Sequence, residues 1–339
     1  MEFRFVKESK ATRSLRKRRT IGCFVMPIFV SPLILYPLYD AIYGDEDDFL
    51  PAAIAAIIAL FVYSYFGVQA LKEELRERAE RRRQLQEQES ELAKRNSRML
   101  QLMKQFKGQR LPADRQNHLR RRVPLYSKLP DKLKPKLEER MLVFLEVMEF
   151  KKKKIPEITK EMRDIVAAEA CLLIVNRSPL EYLHLEIVEI WKGSIESHDD
   201  GTETIGTAFK GQRVQLDWEW VDLFLDDAED NSNVILHEFA HILDFADDAK
   251  TNSIPVDENS WDYEHWKSLL EHEYPRLQKA HASGQNHVMD DYSISRPDQA
   301  EFFSCATESF FERPSELKEK YPRIYGCLKN FYRLDPAEW

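Results

Sequence analysis

Uncharged, charged and mixed stretches follow one another along this chain, and each kind predicts a different element. A basic opening of eight Lys or Arg against two Glu in residues 1–20 leads into an uncharged run from Ile21 to Tyr39, and a second uncharged run extends from Phe49 to Ala70. At 1.5 Å per residue the first run covers roughly 28 Å as a helix, close to the ~30 Å hydrocarbon core of a bilayer. Two such runs joined by a short acidic loop predict a transmembrane hairpin, with spans over 21–39 and 49–70 inside a membrane region of residues 1–71. Buried helices of a globular core are the alternative. Pro27, Pro32 and Pro37 each remove a backbone donor from the first span, which membrane helices tolerate where neighbours satisfy the freed carbonyls. Arg16, Lys17, Arg18 and Arg19 precede span one, and Lys72, Arg76, Arg78 and Arg81 to Arg83 follow span two. The loop Asp45 to Asp48 holds no Lys or Arg, so the positive-inside rule predicts a multi-pass inner-membrane protein with both ends in the cytoplasm.

From Lys72 to Lys107 there is no Pro or Gly, and Glu, Arg, Gln, Lys and Leu dominate, which predicts one long helix. Leu85, Leu92, Met99 and Phe106 fall seven apart, yet Gln88 and Arg95 stand where a coiled-coil seam needs apolar residues. A weak oligomerising coiled coil and a solvated stalk both remain open. Gly108 to Pro124 is basic and contains helix breakers, so residues 72–122 read as stalk and linker, and 123–339 as a catalytic domain. Helical spacing of Met141, Leu142, Leu145 and Met148 predicts a helix over Glu138–Phe150, and a second over Met162–Val175. Tyr182–Trp191 and Val214–Trp218 read as strands, the latter from the alternation of Val214, Leu216 and Trp218. The domain is therefore expected to be α+β.

Charge and cysteine content narrow the function. A formal net charge of -8 argues against nucleic acid as the main partner, because duplex binding shows as a basic patch. The four cysteines, Cys23, Cys171, Cys305 and Cys327, form no CxxC pair, so neither a disulfide framework nor a thiolate zinc cage is indicated.

The chemistry lies in Val234–Leu243, where His237, Glu238 and His241 stand in HExxH spacing among otherwise uncharged residues. Positions four apart share a helix face, so both imidazoles reach one ion with Glu238 beside them. Zinc suits this set, one ion per chain, because it binds imidazole nitrogens tetrahedrally and lowers the pKa of a bound water. A chance triple on a surface helix is the alternative. The apolar flanks oppose it, since two unpartnered histidines and a carboxylate are costly to bury.

A catalytic zinc needs a third protein ligand. The metzincin solution is excluded, because Asp244 and Asp247 stand where its Gly and His belong. The apolar segment Asp298–Phe311, opened by Pro297, offers Glu301 and Glu308, seven apart and on one face. Spacing leaves both open as the ligand, the other supporting the site from behind. Asp244 shares the face of His241 and can accept its second imidazole N–H, unless it is an ordinary exposed acid.

HEFAHILD at His237–Asp244, GQRVQLDW at Gly211–Trp218, AAEACLLI at Ala167–Ile174 and DDYSISRPDQAEFF at Asp290–Phe303 resemble the Mlc titration factor A family of zinc peptidases. The resemblance runs in order from near Val123 almost to the C-terminus, about two thirds of the chain. It implies a gluzincin-type peptidase domain, with His237, His241 and Glu301 as metal ligands, Glu238 as general base and Tyr292 as donor to the developing oxyanion. The N-terminal hairpin and stalk depart from the family's soluble members. The implied function is hydrolysis of peptide or protein substrates on the cytoplasmic side. The alternative is a membrane-tethered binding protein that sequesters a cytoplasmic transcription regulator. Pairing of extended substrate with the strand at Val214–Trp218 is a further expectation.

Overall fold

The computed structural model describes residue 39 and residues 49–196, 203–209, 212–225, 232–245, 253–284, 288–289, 299 and 301–339. Contacts divide the chain into two units, residues 1–90 and 91–339. Helix α1 (Phe49–Gln105) opens the described structure with 57 residues. The first predicted span and the acidic loop lie outside the described residues. The second predicted span is not a helix of its own. Its apolar residues form the start of α1, which continues without a break into the charged Lys72–Gln105 stretch. Among the described residues no helix is long and apolar enough to cross a membrane, which overturns the predicted hairpin and with it the inner-membrane placement. Along the first unit the charged residues pair locally, as in Glu74 with Arg78 at 2.6 Å and Glu77 with Arg81 at 3.8 Å. Such exposed i,i+4 pairs are worth about 0.3–0.5 kcal/mol each.

In the second unit the last turns of α1 bury a face. Met99 and Leu102 are buried, and Leu92, Arg95 and Phe106 are partly so, the spacing of one helical stripe. Arg95, polar where a coiled-coil seam needs an apolar residue, donates to the carbonyl oxygens of Leu183 (2.8 Å) and Leu185. The C-terminal part of the heptad stripe is thus occupied within the chain. The following basic stretch is docked too. Through Nε and Nη2, at 2.7 and 2.9 Å, Arg110 donates to the fully buried Glu138, which also accepts from Leu111 N–H and Tyr126 O–H. Arg115 pairs with the buried Asp164.

Helices α2 (Ala113–Arg122), α3 (Pro124–Lys128) and α4 (Lys134–Val147) lead to strand β1 (Glu149–Lys153), so the helix expected over Glu138–Phe150 ends early and Phe150 lies in a strand. Helix α5 (Lys160–Leu173), N-capped by Thr159, is buried along most of its length. The strand expected over Tyr182–Trp191 shrinks to β2 (Ile187–Trp191), because Pro179–Tyr182 forms a 3-10 turn capped by Ser178 with Glu181 reciprocating. After β3 (Ile195–Glu196), β4 (Glu203–Thr204), β5 (Gly206–Phe209) and β6 (Arg213–Asp217), Asp217 caps α6 (Trp218–Phe224). Helices α7 (Val234–Asp244), α8 (Tyr263–Ala282), α9 (Phe302–Glu312), α10 (Pro314–Lys320) and α11 (Pro322–Tyr332) complete the chain.

The main sheet runs β1-β2-β6-β5, parallel except for the antiparallel β5–β6 pair, with Val188 opposite Val214 and Ile190 opposite Leu216. Strand β6 has a neighbour on each side, so it has no free edge for a substrate strand; among the described residues the sheet's edge strands are β1 and β5. The expected α+β balance also gives way. Among the described residues 68 % are helical, and each strand of the sheet has five residues or fewer. Helix α7 packs against α9, α5, β5 and β6. Its Phe239 meets the rings of Phe144 at 5.7 Å and Tyr182 at 5.5 Å, which buries the helix and turns His237 and His241 to another face.

Candidate metal centre

Helix α7 begins where the Asn233 side chain accepts the Leu236 N–H at 3.0 Å. The same side chain donates to Glu169 of α5 at 3.3 Å, and burial pushes the Glu169 carboxyl up to about 8 against the lowering effect of that hydrogen bond. One turn on, His237 and His241 project together, their ring centroids 4.9 Å apart. Helix α9 lies against this face, and two of its acids meet the imidazoles. Glu301 Oε2 is 3.2 Å from His237 Nε2 and 3.0 Å from His241 Nε2, and the two Nε2 atoms are 3.2 Å apart. On the other side of the His237 ring, Nδ1 and Glu308 Oε1 are separated by 2.7 Å.

Spacing left Glu301 and Glu308 open, and the structure separates them. Glu301 shares the Nε2 side with both histidines, whereas Glu308 accepts from Nδ1. With Nδ1–H held by Glu308, loss of the proton on Nε2 turns that nitrogen's lone pair toward His241 and Glu301. Three mutually adjacent donor atoms, two imidazole nitrogens and one carboxylate oxygen, form one group that can hold a metal ion. Their separations of 3.0–3.2 Å fit such an ion. A tetrahedral ion with bonds of ~2.0–2.1 Å has ligand atoms about 3.3 Å apart. Burial works to raise the Glu301 carboxyl, but hydrogen bonds from His237 and His241 outweigh it and hold the group well below the usual carboxylate range. Burial would lower His237, but Glu308, Cys305 and Glu301 together keep it well above its ordinary value.

Glu238 is 5 % exposed, and burial pushes its carboxyl up to about 8, with His237 pulling down and Glu301 and Glu308 pushing up. Its Oε2 has no hydrogen-bond partner among the described residues. Across from it runs β5, where a Cβ built on Gly206 would lie 2.8 Å from Glu238 Cγ and 2.9 Å from Cδ, and closer still to Oε1. The backbone of the edge strand therefore passes directly over the carboxylate.

Asp244 is 1 % exposed, which excludes an ordinary surface acid, and its Oδ2 accepts the Ser253 N–H at 3.0 Å. Tyr292 and Pro297 lie outside the described residues. The helix expected from Asp298 begins later, at Phe302, because Gln299 has a φ of 59° and Glu301 is the N-cap residue. Sequence reasoning missed Gly206, although an isolated Gly in a strand signals close backbone approach. It also missed Cys305, which groups with His237 and Glu308 and lies three residues from Glu308 on the same helix face.

Comparisons with known proteins place the chain among metallo-peptidases. The family model described as glucose-regulated metallo-peptidase M90 matches residues 76–333. An uncharacterized protein of Synechocystis sp. (strain PCC 6803) is 31 % identical over 245 residues, covering 69 % of this chain and 88 % of that protein. Mlc titration factor A of Pectobacterium atrosepticum is 28 % identical over 231 residues, 63 % of this chain and 84 % of the relative. The Yersinia enterocolitica protein of the same name is 30 % identical over 153 residues, 41 % of this chain and 55 % of the relative.

Proposed function

The chain belongs to the glucose-regulated metallo-peptidase M90 family, and from that premise we propose that it is a zinc-dependent peptidase whose centre is His237, His241 and Glu301. The observation that carries this reading is the convergence of three ligand-type atoms beside a buried Glu238 with an unpartnered oxygen. When bound, zinc supplies Lewis acidity toward the scissile carbonyl and the attacking water. Glu238 takes a proton from the water as its oxygen attacks the carbonyl carbon, and returns that proton to the amine nitrogen as the C–N bond breaks. Glu308 holds the Nδ1 proton of His237 and so keeps Nε2 directed at the centre. Tyr292 takes the role that the family resemblance gives it, donating its phenol to the oxyanion. The free edge of β5, rather than β6, is the place for an extended peptide, which would then run past Glu238.

Metal analysis and a peptide-library digest of the full chain test the proposal. About one zinc per chain is expected, and Glu238→Gln retains the metal while losing hydrolysis. Undiminished turnover in a metal-loaded Glu238→Gln protein removes Glu238 from the mechanism. Cleavage positions in the digest separate aminopeptidase from endopeptidase action. The relatives' name supports a second reading, binding of a regulator of the Mlc kind. It predicts that the Glu238→Gln protein still captures its partner.

A further inference from the structure

Glu301 occupies the N-cap position of α9, yet its side chain caps nothing. An acidic N-cap normally accepts the N–H of the second or third helical residue, because those donors have no partner inside the helix. In α9 the second residue is Phe303, and its N–H donates at 3.0 Å to the hydroxyl of Ser253, which comes from a different segment. The same hydroxyl donates at 2.5 Å to the carbonyl of Gln299. One oxygen thus grips the backbone two residues before Glu301 and two residues after it. Ser253 is fully buried, and its own N–H donates to Asp244, the last residue of the helix that carries His237 and His241. Ser253 and Gln299 both have left-handed backbones, at φ 60° and 59°, a conformation that non-glycine residues rarely adopt. Two unusual backbones joined by one hydrogen bond mark a place where the surrounding contacts dictate the conformation.

We propose that Ser253 is a positioning residue, a surrogate N-cap for α9 that releases the Glu301 carboxylate from capping its own helix and leaves it directed at His237 and His241. Asp244 anchors this cap to the end of α7, so the chain Asp244–Ser253–Phe303 sets the spacing between the helix that bears the two histidines and the helix that bears the acid. The inference rests on the metal-centre reading above. Without the hydroxyl, the Glu301 carboxylate, which stands at the N-cap position, becomes a candidate acceptor for the Phe303 N–H, and a carboxylate turned to its own backbone is lost to the metal.

Cobalt(II) titration of the full-length protein tests this, with the visible ligand-field spectrum read beside affinity and the metal-free protein melted in parallel. Ser253→Ala removes the hydroxyl; Ser253→Gly removes it while accepting the left-handed backbone and keeping the N–H to Asp244. Both variants are expected to bind cobalt about 10- to 100-fold more weakly, with a changed ligand-field spectrum, as when a group that orients a ligand is lost. Wild-type affinity and spectrum in either folded variant, even with a lowered melting temperature, would make the hydroxyl merely structural and overturn the proposal. Failure of both variants to fold would overturn it in the same way. A wild-type protein that binds no cobalt or zinc would instead defeat the metal-centre reading.

Discussion

Gly206 lies so close to Glu238 that a methyl group at position 206 would sit 2.8 Å from the Glu238 Cγ, inside any normal contact distance. The pair joins the edge of the sheet to the HExxH helix. A side chain at this position would force the Glu238 carboxylate out of its present place. Gly206→Ala is therefore expected to keep wild-type metal content and lose turnover by about 100-fold, the scale of a ~1 Å misplacement of a reacting group. Steady-state kinetics beside metal analysis measure it, and wild-type kcat in the variant would show that the carboxylate has room to shift.

Glu301 and Glu308 flank opposite nitrogens of one imidazole, so their removal should have unequal effects. Glu301→Ala is expected to abolish tight zinc binding. Glu308→Ala should lower affinity or activity by about 10- to 100-fold, because it loses only the group that orients His237. Zinc titrations of both proteins decide the order, and tight binding retained in Glu301→Ala with loss in Glu308→Ala would reverse it.

The buried Glu169 carboxyl, pushed up to about 8, ties stability to pH through the cap of the helix that carries His237 and His241. An acid whose folded pKa exceeds its unfolded value binds more protons in the native state between the two. Stability from this group is then present at low pH and falls as pH rises from about 4.5 toward 8. Glu169→Gln keeps an uncharged partner for Asn233 at every pH. Its melting temperature should increasingly exceed that of wild type across this window, by a gain of about 1–4 kcal/mol at the top. Parallel thermal melts from pH 5 to 8.5 check it, and a constant difference between the two proteins would remove Glu169 as the cause.

Met99 is 1 % exposed although it lies on the helix whose charged composition reads as a stalk. Met99→Ala should cost about 2–4 kcal/mol, the range for emptying a buried site. A fragment beginning at Glu91 is expected to melt cooperatively and above one beginning at Val123, which lacks Met99, Leu102 and the Arg110 and Arg115 ion pairs. Denaturant titration of the two fragments measures the difference, and equal midpoints would assign residues 91–122 no part in the fold.

Local sequence determined what depends on helical periodicity. His237 and His241 share a face because they are four apart, and the apolar neighbours that bury α7 are written beside them. Tertiary structure decided everything that depends on how separate elements meet. Seven-residue spacing puts Glu301 and Glu308 on one face but says nothing of how high α9 sits against α7, and that height gives one acid to Nε2 and the other to Nδ1. Alternation identified the core of β6 but not its neighbours, and two flanking strands leave β1 and β5 as the sheet's edges among the described residues. An uncharged run of bilayer length from Phe49 to Ala70 does not show whether it forms a separate span or the start of a longer charged helix. Ser253 left no trace in any local pattern, since its partners Asp244, Gln299 and Phe303 lie nine, 46 and 50 residues away. A hydrogen bond between distant segments costs no sequence signal at either end, and only the folded chain brings its two ends together.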